Sequence, residues 1–408
     1  MGSFEATVDA WVADVAIGSR NFGELVRALP GVYPSDALAS LLRLQSTGHL
    51  PEHIVRHALA EDSTAPKSTA VEHRLKGLPL PHPLDYDWRF NVSTRDRLLA
   101  EISSHSGPGD TVVLLATPSL VTLAAARLGD RRIVLLERNR AALARLDSFD
   151  VIRCDAMSDH LPDISAQVVV VDPPWYEEHM HSFMWVATHL CKPEGHIYLS
   201  FPAIGTGPGV STEFDQLEQW AGQLGLARVR TEHLALSYDS PYFERSALSA
   251  LGIRNVPSTW RRADLVVFQT LGDVAVERPG RPGVIEVWDE LYLRGMRIKV
   301  RKRACQGFGD PALKPLVPGD ILPSVSRRNP IRTNVDVWTT GNRVYRCEAP
   351  ALLVGIGRAI AAGTDPNNAV ESCVGRRLTP PELSLVCRTT EQLLELAQTE
   401  DHEARDLI

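Results

Sequence analysis

The sequence predicts an α/β chain. An open, mostly parallel sheet of seven strands is expected over residues 82–272, after a small helical domain with its linker (1–81) and before a smaller α+β domain (284–408). Three observations carry this. Apolar, β-branched runs alternate with helical segments between residues 111 and 201, the pattern of strand–helix–strand crossovers. Four consecutive valines, Val168, Val169, Val170 and Val171, read as a strand buried on both faces, and Asp172-Pro173-Pro174-Trp175-Tyr176 ends it at once. Acids close three successive strands, at Glu137, Asp155 and Asp172, on the edge where open α/β sheets hold ligands.

The chain of 408 residues is long enough for two or three domains, and 44% hydrophobic content fits a globular protein. No apolar run reaches the length of a membrane span. The opening Met-Gly-Ser-Phe-Glu lacks a secretory layout, and Ala6 stands where a myristoylation signal wants Ser or Thr. Cys154, Cys191, Cys305, Cys347, Cys373 and Cys387 form no Cys-x-x-Cys pair, which points to reduced thiols in a cytoplasmic setting without a zinc ribbon. His179 and His181 are too few to hold zinc alone, so no metal is expected. A net charge of −7 does not advertise nucleic-acid binding.

Residues 1 to about 62 read as helical. Apolar spacing over 22–29 stops at Pro30-Gly31, and Ser35 is placed to cap a second helix over 37–44. Helix, tight turn and second helix give a winged-helix-like outline. With Arg43 the single cation of its second helix, a packing or dimer-forming role is favoured over DNA reading. Residues 62–81 read as a linker. The aromatic, charged stretch 81–90 follows, with Ser93-Thr94 capping the next helix. The stretch is expected to lie over a bound cofactor or to strap two domains together.

The sheet begins at Thr111. Strands are expected at 111–115, 132–137, 149–155, 168–172 and 196–202, with a closing antiparallel pair at 227–238 and 263–269. Glu137 falls about twenty residues after the first strand–helix turn, where a nucleoside site puts its ribose-binding acid. The connection 239–262 is too long to be idle and is expected to shape the substrate side through Tyr242 and Phe243. Ile204-Gly205-Thr206-Gly207-Pro208-Gly209 reads as a flexible loop or lid.

Asp172-Pro173-Pro174-Trp175 at a strand end suits the gripping of an amine. The carboxylate and a proline carbonyl accept from the nitrogen, and the aromatic ring stacks on a planar group. Here the sequence resembles the class I methyltransferases that act on amino nitrogens, whose motif is Asp/Asn-Pro-Pro-Tyr/Phe/Trp. The resemblance spans about 85–272 and implies a Rossmann-like domain using S-adenosylmethionine or its decarboxylated form. It implies that Asp172, Pro173, Pro174, Trp175 and Tyr176 serve the reacting amine. Ala116, Thr117, Ser119, Glu137, Asp155 and Ala156 would line the cofactor, with Glu137 on ribose and Asp155 on adenine. One departure stands out: the turn from Ala116 to Thr122 contains no glycine. That turn, the Asp-Pro-Pro motif and the helical start also resemble the branched-chain polyamine synthases, in which this loop carries aspartates that bind polyamine nitrogens. Thr117, Pro118 and Ser119 occupy it here, and neutral side chains do not replace carboxylates.

Beyond a Gly/Pro-rich boundary at 273–283, residues 292–303 and 335–347 suggest a small β unit with Thr340-Gly341-Asn342 as a hairpin turn. Two helices follow, at 351–362 and, capped by Thr379, at 380–399. From Arg297 to Arg332 nine Lys/Arg face two Asp, so nucleic acid or another acidic partner could be read at Arg297, Lys299, Arg301, Lys302 and Arg303. A solvated strand face balanced by acids elsewhere fits equally well. The leading expectation is group transfer, foremost of methyl, to an amine-bearing acceptor. Aminopropyl transfer to a polyamine, methylation of nucleic-acid amino groups, and a non-catalytic scaffold that lost its cofactor loop are the alternatives.

Overall fold

The computed structural model describes residues 3–59, 77–254, 256–272, 276–280, 287–326 and 329–407. Most of the expected linker at 62–81, part of the boundary at 273–283, and Arg327 and Arg328 lie outside the described residues. The chain divides into two compact units. The first comprises Met1–Leu78, Trp88–Ser240 and Asn255–Pro282; the second comprises Pro79–Asp87, Pro241–Arg254 and Gly283–Ile408.

The first unit opens with helices α1 (Phe4–Ala16), α2 (Phe22–Ala28), α3 (Pro34–Ser46) and α4 (Glu52–Ala58). Asn21 caps α2 by accepting the Glu24 N–H at 2.9 Å. Helix α3 starts instead at Pro34, where a missing N–H is harmless, so Ser35 lies inside the helix and does not cap it. Arg43 of α3 is bound to Asp9 of α1 at 2.7 Å, which spends the helix's one cation on packing.

The sheet of this unit has eight strands: β1 (Arg89–Phe90), β2 (Thr111–Leu115), β3 (Arg132–Glu137), β4 (Val151–Arg153), β5 (Ala166–Val171), β6 (Cys191–Pro202), β7 (Leu226–Asp239) and β8 (Arg262–Thr270). Their order is β1-β7-β8-β6-β5-β2-β3-β4. All seven expected strands are present, and two-residue β1 adds an edge against β7. The β2, β3, β4, β5 and β6 pairings are parallel, whereas β8 runs antiparallel to β6 and β7. The third expected strand is only Val151–Arg153, so Asp155 lies just past it.

The alternation of side chains across the sheet builds two cores. Val113, Leu115, Val169 and Val171 face helices α8 (Glu177–Leu190) and α9 (Val210–Gln223). Val112, Leu114, Val168 and Val170 face α5 (Val92–His105) and α6 (Pro118–Arg127). The four valines of β5 are each at most 1% exposed. Burial of that degree stabilises on the order of 1.5–2 kcal/mol per side chain, and it fixes where Asp172 emerges. Asn91, not Ser93 or Thr94, caps α5, accepting the Thr94 N–H at 2.9 Å. The stretch at 204–209 is no free lid. Gly205 N–H donates to Pro30 O at 2.9 Å, and a Cβ at Gly205 would stand 2.4 Å from that oxygen.

The second unit is an antiparallel sheet of five strands, ordered β11 (Lys314–Pro315), β13 (Val344–Arg346), β12 (Val337–Thr339), β10 (Met296–Arg301) and β9 (Trp288–Leu293). Helices α10 (Tyr242–Ala250), α11 (Pro350–Ala362), α12 (Pro366–Val374) and α13 (Pro380–Leu407) complete it. The expected hairpin turn joins β12 and β13, with Asn342 at φ 64°. Its backbone is held by Glu400 of α13, which accepts from Gly341 N at 3.0 Å, Thr340 Oγ1 at 2.8 Å and Thr339 Oγ1.

Arg297, Lys299 and Arg303 of the basic run are paired with acids. Arg297 is 1% exposed and paired with Asp85 at 2.5 Å and Glu290 at 2.6 Å; Lys299 also binds Asp85. Arg301 donates to Val335 O at 2.9 Å, and Arg303 binds Asp336 at 2.7 Å; Lys302 and Arg303 are the exposed members of the five. Burying a guanidinium demands such partners. The balancing acid Asp85 lies 212 residues earlier in the chain.

Candidate active site

Three backbone bonds bring the ends of β2, β3 and β5 into one row. Asp172 N–H donates to Leu115 O at 3.3 Å, Ala116 N–H to Leu136 O at 2.9 Å, and Cys154 N–H to Glu137 O at 3.1 Å. Register pairs Leu115 with both Val171 and Leu136. The chain reverses direction across the sheet between β2 and β5, the switch point at which such sheets open a crevice. Ala116, Glu137 and Asp172 therefore leave three adjacent strands at the same edge.

The glycine-free turn reaches the required shape in another way. Ala116 itself adopts φ 56°, the left-handed region that a glycine would normally supply. The next residue, Thr117, is 2% exposed, and its Oγ1 is buried with no hydrogen-bond partner among the described residues. Ser119 is buried in the first turn of α6. Glu137 is 8% exposed, and its Oε1 accepts the Asn139 N–H at 2.8 Å, which fixes the carboxylate against its own loop. Asp155 Oδ1 accepts from Met157 N at 3.0 Å beside buried Ala156.

Asp172 is held from the far side of the sheet. Tyr238 of β7 donates its hydroxyl to Asp172 Oδ1 at 2.7 Å, and Ser200 of β6 in turn bonds the Tyr238 oxygen. Burial, then the Asp172 charge, pushes the Tyr238 phenol well above its usual range, so it stays a donor. Pro173 is buried; Pro174, Trp175 and Tyr176 are half-buried, and Tyr176 precedes α8. Trp175, Tyr176, Glu177, Met180, His181, Phe201, Pro202, Glu213 and Leu217 line a small hollow beside the motif.

Sequence reasoning missed an aromatic cluster next to Asp172. The Arg261 guanidinium carbon lies 4.1 Å from the ring centroids of both Trp88 and Trp175. Its Nη1 donates to Tyr33 OH at 2.8 Å, and Trp260 packs edge-on against Tyr33 and Trp88. Tyr238 N–H donates to Arg261 O at 3.1 Å, which sets Arg261 opposite Tyr238. Trp88 belongs to the aromatic stretch 81–90; nothing local marked Arg261. The expected substrate residues Tyr242 and Phe243 belong to the second unit. Each is 1% exposed in the second unit, where Tyr242 OH donates to Glu403 at 2.7 Å. No group of three or more His, Cys, Asp or Glu among the described residues is placed to hold a metal ion. No helix among them is long and apolar enough to cross a membrane.

No family model matches the chain, and no curated protein matches it. Among solved structures, the branched-chain polyamine synthase from Thermus thermophilus, in complex with N4-aminopropylspermidine and 5'-methylthioadenosine, aligns over 68% of this chain and 91% of its own at 16% identity and TM-score 0.53. Its C9 mutein aligns over 68% and 90% at 15% identity and the same TM-score. A TehB-like SAM-dependent methyltransferase from Corynebacterium glutamicum aligns over 44% and 89% at 10% identity and TM-score 0.30. The first unit has the class I methyltransferase fold. In that fold the row formed by Ala116, Glu137 and Asp172 lies at the carboxyl edge of the central strands.

Proposed function

We propose that the first unit transfers a carbon group, foremost methyl, from S-adenosylmethionine to the nitrogen of an amine-bearing acceptor. The observation that carries this is the common row of Ala116, Glu137 and Asp172 at the switch point, with Asp172 anchored by Tyr238. The residues present fit a nucleoside cofactor. Glu137 supplies a buried, oriented carboxylate for ribose hydroxyls, the Ala116 turn provides the close backbone approach, and Thr117 Oγ1 is an orphaned donor awaiting a partner. Asp155 and Ala156 flank the same edge for the base.

When bound, the cofactor supplies a sulfonium carbon whose C–S bond breaks as the amine nitrogen bonds to it, leaving a neutral thioether. The chain's own task is alignment. A carboxylate offers about four acceptor positions, so Asp172 receives an amine N–H while still accepting from Tyr238. The Pro173 carbonyl is a second acceptor, which together with Asp172 would direct the nitrogen lone pair. Trp175 and Tyr176 stack on the acceptor and exclude water, and the proton released leaves through Asp172 or solvent.

Aminopropyl transfer from decarboxylated S-adenosylmethionine is the second reading. The alignment with a polyamine synthase favours it, and so do Glu177 and Glu213 at the hollow beside Trp175. An assay with labelled S-adenosylmethionine, and separately its decarboxylated form, against a panel of primary amines tests both. Label should pass to an amine with the wild-type chain and fall at least a hundredfold with Asp172→Asn. Transfer from neither donor, or transfer indifferent to Asp172→Asn, would overturn the proposal.

A further inference from the structure

We propose that Arg261 is a specificity-determining residue that binds an anionic group on the acceptor, so that the amine taken at Asp172 belongs to a molecule that also carries a carboxylate or phosphate. This rests on the transfer reading above and narrows its substrate class.

Two indole rings pack on the Arg261 guanidinium. Trp88 and Trp175 lie against Arg261 at the same 4.1 Å, so it is stacked twice. Stacking fixes the plane and leaves the in-plane N–H edges as the way to satisfy the charge. Nη1 is taken by Tyr33 OH at 2.8 Å. Nε is buried and has no hydrogen-bond partner among the described residues. A buried unpaired donor on a cation is an unfavourable arrangement that protein interiors avoid. An edge-on oxyanion would complete it, and a planar fork held in one orientation suits the two oxygens of a carboxylate or phosphate.

The position gives that anion a meaning. Trp175 follows Asp172-Pro173-Pro174 directly, and it packs edge-on against Tyr238, the residue that holds Asp172, at 5.8 Å. Tyr238 and Arg261 are further tied by a backbone bond of 3.1 Å. A fixed positive charge in this aromatic clamp also occupies the seat where a cationic tail would stack, and it repels polycations close to the reacting nitrogen. The glycine-free first turn adds no carboxylates that would offset it.

The test is calorimetric, on the full chain saturated with S-adenosylhomocysteine. The probes are 4-aminobutyrate, phosphoethanolamine and butylamine, titrated into wild type, Arg261→Gln and Arg261→Lys. The first two separate a carboxylate from a phosphate source; the third removes the anion. At least one anionic probe should bind wild type tenfold or more tighter than butylamine, Arg261→Gln should bring the two within about twofold, and Arg261→Lys should retain part of the preference. Thermal melts and S-adenosylhomocysteine affinity, both expected to be retained, report whether each variant folds. Should Arg261→Gln fail to fold, Arg261→Lys carries the comparison. The proposal is overturned if butylamine matches the anionic probes on wild type, if no probe binds, or if both variants keep the full preference. Absence of S-adenosylhomocysteine binding by wild type would instead sink the transfer reading beneath it.

Discussion

Tyr238 and Asp172 are joined by a 2.7 Å hydrogen bond that crosses from β7 to the end of β5, spanning the two intervening strands β8 and β6. Tyr238 is 1% exposed, stacked near Phe90 and backed by Ser200, so the donor cannot swing away. It fixes one oxygen of the carboxylate that would receive the amine. Tyr238→Phe should lower kcat of transfer roughly ten- to hundredfold with little change in KM. Steady-state kinetics would show a split of that kind; a change in KM alone would assign Tyr238 to packing.

The turn at Ala116 gives a prediction about stability. A non-glycine residue at φ 56° is strained by about 1 kcal/mol. Ala116→Gly relieves that strain, offset in part by the greater freedom of the unfolded chain. Ala116→Val, with a branched side chain in the same conformation, should destabilise by more than 1 kcal/mol. Thermal melts of both variants check this, and a Val variant as stable as wild type would contradict it.

In the second unit, Asp85 is the shared counter-ion of Arg297 and Lys299. The two cations hold its carboxyl well below the ordinary range, against the opposing effect of burial. Asp85→Asn leaves a guanidinium that is 1% exposed with Glu290 as its remaining acid partner. A loss of about 3–5 kcal/mol is expected for breaking such a buried pair. Chemical denaturation should show it in the transition of the second unit.

Glu400 makes the second unit sensitive to pH. Burial raises its carboxyl from 4.5 to about 7, outweighing the hydrogen bonds from Thr339, Thr340 and Gly341 and the nearby Arg343, which favour the charged form. Because the folded pKa lies above the unfolded one, the native state favours the proton. The contribution is complete below pH 4.5 and is lost as pH rises through about 7. Its size is on the order of 3 kcal/mol. Glu400→Gln should flatten that slope, and melts of both proteins between pH 5 and 8 would reveal it.

Legibility followed the locality of each signal. The valine run and the two prolines that stop it are adjacent in sequence, so β5 and the place where Asp172 emerges could be read directly. Glu137 followed from the same logic, since its strand is a plain apolar run. Arg261 and Tyr238 were hidden for a physical reason. The β7–β8 pairing is irregular between Glu232 and Leu236, so the simple alternation of strand faces fails before it reaches Tyr238. The basic run left both readings open because charge alone does not reveal burial, and Asp85, the acid that pairs with Arg297 and Lys299, is far away in sequence. Tyr242 and Phe243 fall in the second unit, and a connection does not declare in sequence which core it will join. Helix α12 was missed: its nine residues hold one buried apolar side chain, Val370, too weak a pattern to see.

The most direct test of the central claim is calorimetric titration of the full chain with S-adenosylhomocysteine, comparing wild type with Glu137→Ala. The row at the carboxyl edge predicts one binding event per chain, weakened roughly ten- to hundredfold when the Glu137 carboxylate is removed. Wild type that gives no heat with S-adenosylhomocysteine or 5'-methylthioadenosine, or binding that Glu137→Ala leaves untouched, would contradict it.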